Sequence, residues 1–131
     1  MGTFDWFVAE LKCPKCGKEH AANSRTNMQT KIDLNRWQNE LGIGHHLSIN
    51  YPITGWCYIE IRAPEDRDTF TLIEAWECSD CPGYQLAVVE IIGSKIVNIE
   101  AIEPSRENIE GANYVTDDID FYGFRNWLKP T

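Results

Sequence analysis

The chain has 131 residues, 43% hydrophobic and 24% charged, with five each of Trp, Tyr and Phe. This composition excludes global disorder and supports a single folded unit over residues 1–131. With 20 acidic side chains against 12 basic ones and a net charge of -8, it also argues against a general polyanion-binding surface.

The opening Met1-Gly2-Thr3-Phe4-Asp5-Trp6 has neither the basic start nor the apolar run of an export signal. Trp6 also breaks the myristoylation pattern. No apolar run approaches the ~18 residues a spanning helix needs. The expectation is a cytoplasmic protein that makes no use of a membrane.

Phe4–Leu11 reads as a first strand, followed by the pair Cys13-Pro-Lys-Cys16-Gly17. A C-x-x-C turn lets two thiolates converge on one cation and leaves two tetrahedral positions for a second pair. Gly17 suits the positive φ that commonly follows such a turn. His20 lies four residues past Cys16 and is read as a surface side chain near the metal, with substitution for a missing thiol as the alternative. Asp33–Leu41 predicts a short helix, with Leu34, Trp37 and Leu41 on one side and Gly42 ending it. His45 and His46 are adjacent, so in a strand they would face opposite ways.

Four strands follow, at 56–62, 69–77, 84–92 and 95–102, rich in Ile, Val, Trp and Phe. In the first, alternation puts Cys57, Ile59 and Ile61 on one face and Trp56, Tyr58, Glu60 and Arg62 on the other. Cys57 is therefore expected to be a small buried hydrophobe. The turn between the second and third strands is itself the second cysteine pair, Cys78-Ser-Asp-Cys81-Pro82-Gly83. Gly93-Ser94 joins the last two strands and predicts a type II′ hairpin turn. Ser105–Glu110 predicts one or two helical turns after Pro104, and Asp120–Leu128 places Phe121, Phe124 and Leu128 on one helical side.

The predicted architecture is mainly β (α+β): an antiparallel sheet, a zinc ribbon formed by two CxxC knuckles, and one or two short helices. Cys13, Cys16, Cys78 and Cys81 are the expected ligands of one structural Zn(II) ion. Disulfides are disfavoured by the expected reducing compartment. A redox-active pair is disfavoured because each pair is flanked by strand-like sequence, not by a βα unit. Iron suits the same sulfur tetrahedron, but zinc is its usual occupant. Four thiolates also fill the coordination sphere, which argues against a catalytic ion.

Charge is uneven. Residues 1–62 carry seven basic and six acidic side chains, residues 63–131 five and fourteen. Glu103, Glu107, Glu110, Asp117, Asp118 and Asp120 are the candidate contact surface for a protein with a basic surface. The favoured function is a non-enzymatic acidic binding module, of inhibitor, immunity-protein or adaptor type. One alternative is a nucleic-acid- or ribosome-associated ribbon using Lys12, Lys15, Lys18 and Lys31. A second is a small hydrolase using His45 or His46. No phosphate-binding glycine loop is present.

The Met-Gly-x-Phe-Asp start, the Cys13-Pro-Lys-Cys16-Gly17 knuckle, the Gln29-Thr30-Lys31 segment and the second CxxC together resemble a group of small bacterial and phage-associated zinc-ribbon proteins. The likeness spans about the first 31 residues and the second cysteine pair. It implies the same four cysteine ligands and carries no activity.

Overall fold

The computed structural model describes residues 5–22, 26–34, 40–55, 58–81 and 84–116. It is mainly β, with one short helix among the described residues. The largest sheet has five strands. At its centre are β7 (Phe70–Glu77) and β8 (Tyr84–Ile92), with β9 (Lys95–Ile102) outside β8. On the other side β10 (Tyr114–Thr116) runs parallel to β7 and antiparallel to β6 (Tyr58–Glu60). A crossover carrying α1 (Arg106–Glu110) joins β9 to β10.

The centre of this sheet is packed on both faces, as β7 shows. Phe70, Leu72 and Trp76 enter the main core, while Ile73 and the half-buried Ala75 pack with Ile109 of α1 and Val115 of β10. A strand buried on both sides shows a near-continuous apolar run, as β7 and β8 do. The α1 helix is started by Ser105, whose side-chain oxygen accepts from the Asn108 amide at 3.1 Å. The buried Ile109 anchors it.

A second sheet packs against the inner face. It consists of β1 (Asp5–Phe7), antiparallel to β4 (Met28–Thr30) and parallel to β5 (Glu40–Leu41). Phe7, Met28 and Leu41 join the same buried cluster as Leu72 and Val89. A two-stranded ribbon, β2 (Leu11–Lys12) and β3 (Glu19–His20), completes the β structure.

Buried between the sheets is a polar chain. Thr30 and Tyr58 share a hydroxyl–hydroxyl hydrogen bond of 2.6 Å, and the Tyr58 hydroxyl donates to the Glu74 carboxylate. Its partners come from β4, β6 and β7, so it ties one sheet to the other in a particular register.

Several sequence expectations are corrected. The segment read as one strand, Phe4–Leu11, is two: β1 stops at Phe7, and Leu11 belongs to the ribbon. The predicted helix over 33–41 fails at both described ends, because Asp33 bridges Ile49 and Glu40–Leu41 is β5. Leu34 is 56% exposed while Leu41 is buried, so the proposed apolar stripe is broken. Residues 35–39 lie outside the described residues.

Tyr58, expected on the face opposite Ile59, is buried in the main core, while Ile59 is only half-buried. Ile61 instead packs against the second cluster under α1. The alternation rule assumes one wet face, whereas here Tyr58 joins the main core and Ile61 the second cluster, so residues on both faces of this strand region are packed.

At the hairpin tip Gly93 and Ser94 have φ of 56° and 64°. Two positive values make the turn type I′, whose twist also suits the flanking strands. Beyond it, Glu90 pairs with Asn98 but Ile91 pairs with Ile96, leaving Val97 as a bulge residue. The bulge lets Ile96 and Ile99, three apart, both reach the main core. Cys57, Pro82, Gly83, and the tail stripe Phe121, Phe124 and Leu128 lie outside the described residues.

Candidate metal centre

The two cysteine pairs, separated by more than sixty residues, come together. The Sγ atoms of Cys13, Cys16, Cys78 and Cys81 all lie within 4.8 Å of one another. Cys13 and Cys81 are 3.9 Å apart, Cys16 and Cys78 3.7 Å. A disulfide needs about 2.05 Å, so these are four free thiols. Metal–sulfur bonds of about 2.3 Å at tetrahedral angles demand sulfur–sulfur edges of roughly 3.8 Å. The two cross-pair distances match that edge, so the donor set fits a tetrahedral cation.

Local backbone chemistry builds each knuckle. The Cys13 amide donates to the Lys18 carbonyl at 2.9 Å and the Gly17 amide to the Cys13 carbonyl at 2.8 Å. Gly17 takes φ +77°, as the turn requires. Leu11 pairs with His20 and Lys12 with Glu19, so the first knuckle is the tip of the β2–β3 ribbon. The second knuckle is the turn between β7 and β8, whose ladder closes at Glu77 and Tyr84. Lys18 spans the gap, with its Nζ 3.1 Å from the Asp80 carboxylate and 3.3 Å from the Ser79 hydroxyl. This surface ion pair contributes little by itself.

The thiols divide into two kinds. Burial alone would push the Cys13 thiol up, but hydrogen bonds from the Cys16 and Lys15 amides and from neighbouring thiols hold it below its ordinary value. Cys78 behaves alike: burial opposes ionisation, while the Asp80 amide, the His20 ring and the Cys16 thiol bring the net shift downward. The Lys18 amide favours ionisation of Cys16, but burial and the Cys78 and Cys13 sulfurs outweigh it and its thiol is raised. Cys81 is pushed up to about 12 by burial and the three neighbouring sulfurs. Cys13 and Cys78 are therefore the thiols more easily ionised, and Cys16 and Cys81 those that hold their protons more tightly. A divalent cation replaces those protons.

His20 departs from its expected place. It is not a surface side chain: it is 7% exposed, its ring meets Trp76 edge-on at 5.5 Å, and its Nε2 lies 3.3 Å from Cys78 Sγ. It does not belong to the mutually close donor group, which contains the four sulfurs alone. Pairing with buried Leu11 turns its side chain inward, and a two-residue ribbon is too short to show that in its periodicity.

Other singled-out residues scatter. Lys12, Lys15 and Lys18 are exposed around the first knuckle, whereas Lys31 is half-buried. His45 Nε2 is 3.7 Å from the buried Asp33 carboxylate, beyond hydrogen-bond distance. His46 instead forms a backbone bridge to Lys95. Glu103, Glu107 and Glu110 are all exposed on and just before α1. Glu110 is already paired with Arg106 at 2.6 Å. Asp117, Asp118 and Asp120 lie outside the described residues.

Among the described residues no helix is long and apolar enough to cross a membrane. Comparison of the chain with known proteins finds no matching family, curated protein or solved structure. Of what the resemblance implies, the structure supports the clustering of Cys13, Cys16, Cys78 and Cys81, compatible with a zinc site.

Proposed function

We propose that this chain is a non-catalytic protein-binding module whose ribbon is held to its main sheet by one structural zinc ion. The observation that carries the reading is the sulfur tetrahedron: four thiolates saturate zinc and leave no position for water or substrate. Zinc is favoured over other divalent ions because an all-thiolate tetrahedral set suits it. The position of the two knuckles, one on a short ribbon and one on a hairpin, supports reading the site as a zinc ribbon.

The proposed contact surface is the acidic segment around α1, with Glu103, Glu107 and Glu110 in its described part. Glu107 also borders a cleft of about 410 Å³ lined by Ile73, Val88 and Ile102. Apolar floor and acidic margin together suit a basic protein segment with an apolar side chain to insert. An inhibitor, immunity-type protein or adaptor would use such a surface.

The test has two parts. Protein purified under reducing conditions is expected to hold one zinc per chain, lost in Cys78→Ser. Affinity capture from the native host is then compared for the natural chain and Glu103→Lys/Glu107→Lys. A captured basic protein lost on charge reversal supports the proposal, and undiminished capture refutes the assigned surface.

The exposed Lys12 and Lys15 beside the metal site favour one second reading, binding to nucleic acid through the ribbon. It requires an affinity that falls steeply with added salt and disappears when those lysines are neutralised.

A further inference from the structure

We propose that His20 is a positioning residue of the metal centre: it donates its Nε2–H to the metal-bound sulfur of Cys78 and shields that thiolate from attack. The proposal rests on the reading of the four cysteines as a metal site. A thiolate bound to a cation carries no proton and can only accept. At 3.3 Å from Cys78 Sγ, Nε2 must therefore be the protonated ring nitrogen.

The fold keeps the ring in place. β3 presents His20 on the same side as Leu11, toward the interior. The Trp76 indole packs against its ring at an interplanar angle of 69°. Trp76 is in turn anchored by its own Nε1–H, which donates to the Leu86 carbonyl at 3.1 Å. Trp76 is the last residue but one of β7 and Cys78 is the first residue after that strand, so one stretch of chain carries both the acceptor sulfur and the wall that orients the donor. A hydrogen bond to a metal-bound sulfur draws electron density from it and lowers its nucleophilicity, and losing such an outer partner typically costs 10–100-fold in metal affinity.

The experiment uses zinc- and cobalt-loaded full-length protein, with metal content measured first. His20→Phe keeps a ring and removes the donor, and His20→Gln keeps an N–H at similar reach. In His20→Phe we expect Cys78 alkylation by N-ethylmaleimide, located by mass spectrometry, to be about tenfold faster. The sulfur-to-cobalt charge-transfer band should move to lower energy, because a more electron-rich sulfur gives up its electron more easily. His20→Gln should restore both.

In case His20→Phe does not fold, imidazole ¹⁵N shifts of the metal-loaded natural chain must show the proton on Nε2. A proton on Nδ1 alone, or identical alkylation rates and spectra in all three proteins at one metal per chain, overturns the proposal. A natural chain that takes up no metal overturns the metal reading itself, and this inference with it.

Discussion

Removing the metal should release the ribbon while leaving the five-stranded sheet folded. The β2–β3 ribbon has only two residue pairs, Leu11 with His20 and Lys12 with Glu19. Two-stranded ladders of this size are not stable alone. By contrast β7 and β8 pair along eight positions, and Phe70, Leu72, Trp76, Val89 and Ile91 are buried behind them. Free zinc at a thousand times its dissociation constant stabilises the folded state by about 4 kcal/mol. Unfolding entropy of about 2.1 cal/mol/K per residue converts this into a fall in Tm of roughly 15 °C on chelation.

Hydrogen exchange before and after chelation under reducing conditions separates the two regions. The amides of Cys13 and Gly17, bonded across the knuckle, should lose protection, while those of β7 and β8 should keep theirs. If the knuckle amides stay protected without metal, or the central strands melt with them, the reasoning is wrong.

Metal affinity should rise with pH. The thiols of Cys16 and Cys81 are raised, so at neutral pH both hold protons that the cation must displace. At least two protons should leave per ion, which calorimetry in buffers of different ionisation enthalpy measures. Tyr58→Phe removes the hydroxyl that donates to the buried Glu74 carboxylate and should cost about 1.5–3 kcal/mol in urea unfolding. A change below about 0.5 kcal/mol would mean that the buried polar chain does not hold the sheets together. Ser94→Gly should raise stability by up to about 1 kcal/mol, because Ser94 occupies a left-handed conformation at φ 64°. The turn's hydrogen bonds at that residue are backbone ones and survive the change.

Where structure is local, the amino-acid sequence already contains it. The strands 84–92 and 95–102 are found with the bounds read from their apolar runs, and β7 begins one residue later than read. The helix after Pro104 forms where Ser105 can cap it. The cysteine pairs are legible because each knuckle is a four-residue motif whose chemistry demands a second copy.

What chain contacts at long range created was not legible. β10 spans three residues and β5 two, too few for any period to register, and each exists only because another strand offers it a hydrogen-bonding edge. His20 is the sharpest case. Nothing within a few residues of it distinguishes a solvated histidine from one pressed against Trp76 and the Cys78 sulfur, 58 positions away. Short-range pattern selects backbone conformation, but burial and partnership are properties of the packed whole, set by which surfaces the completed sheets bring face to face.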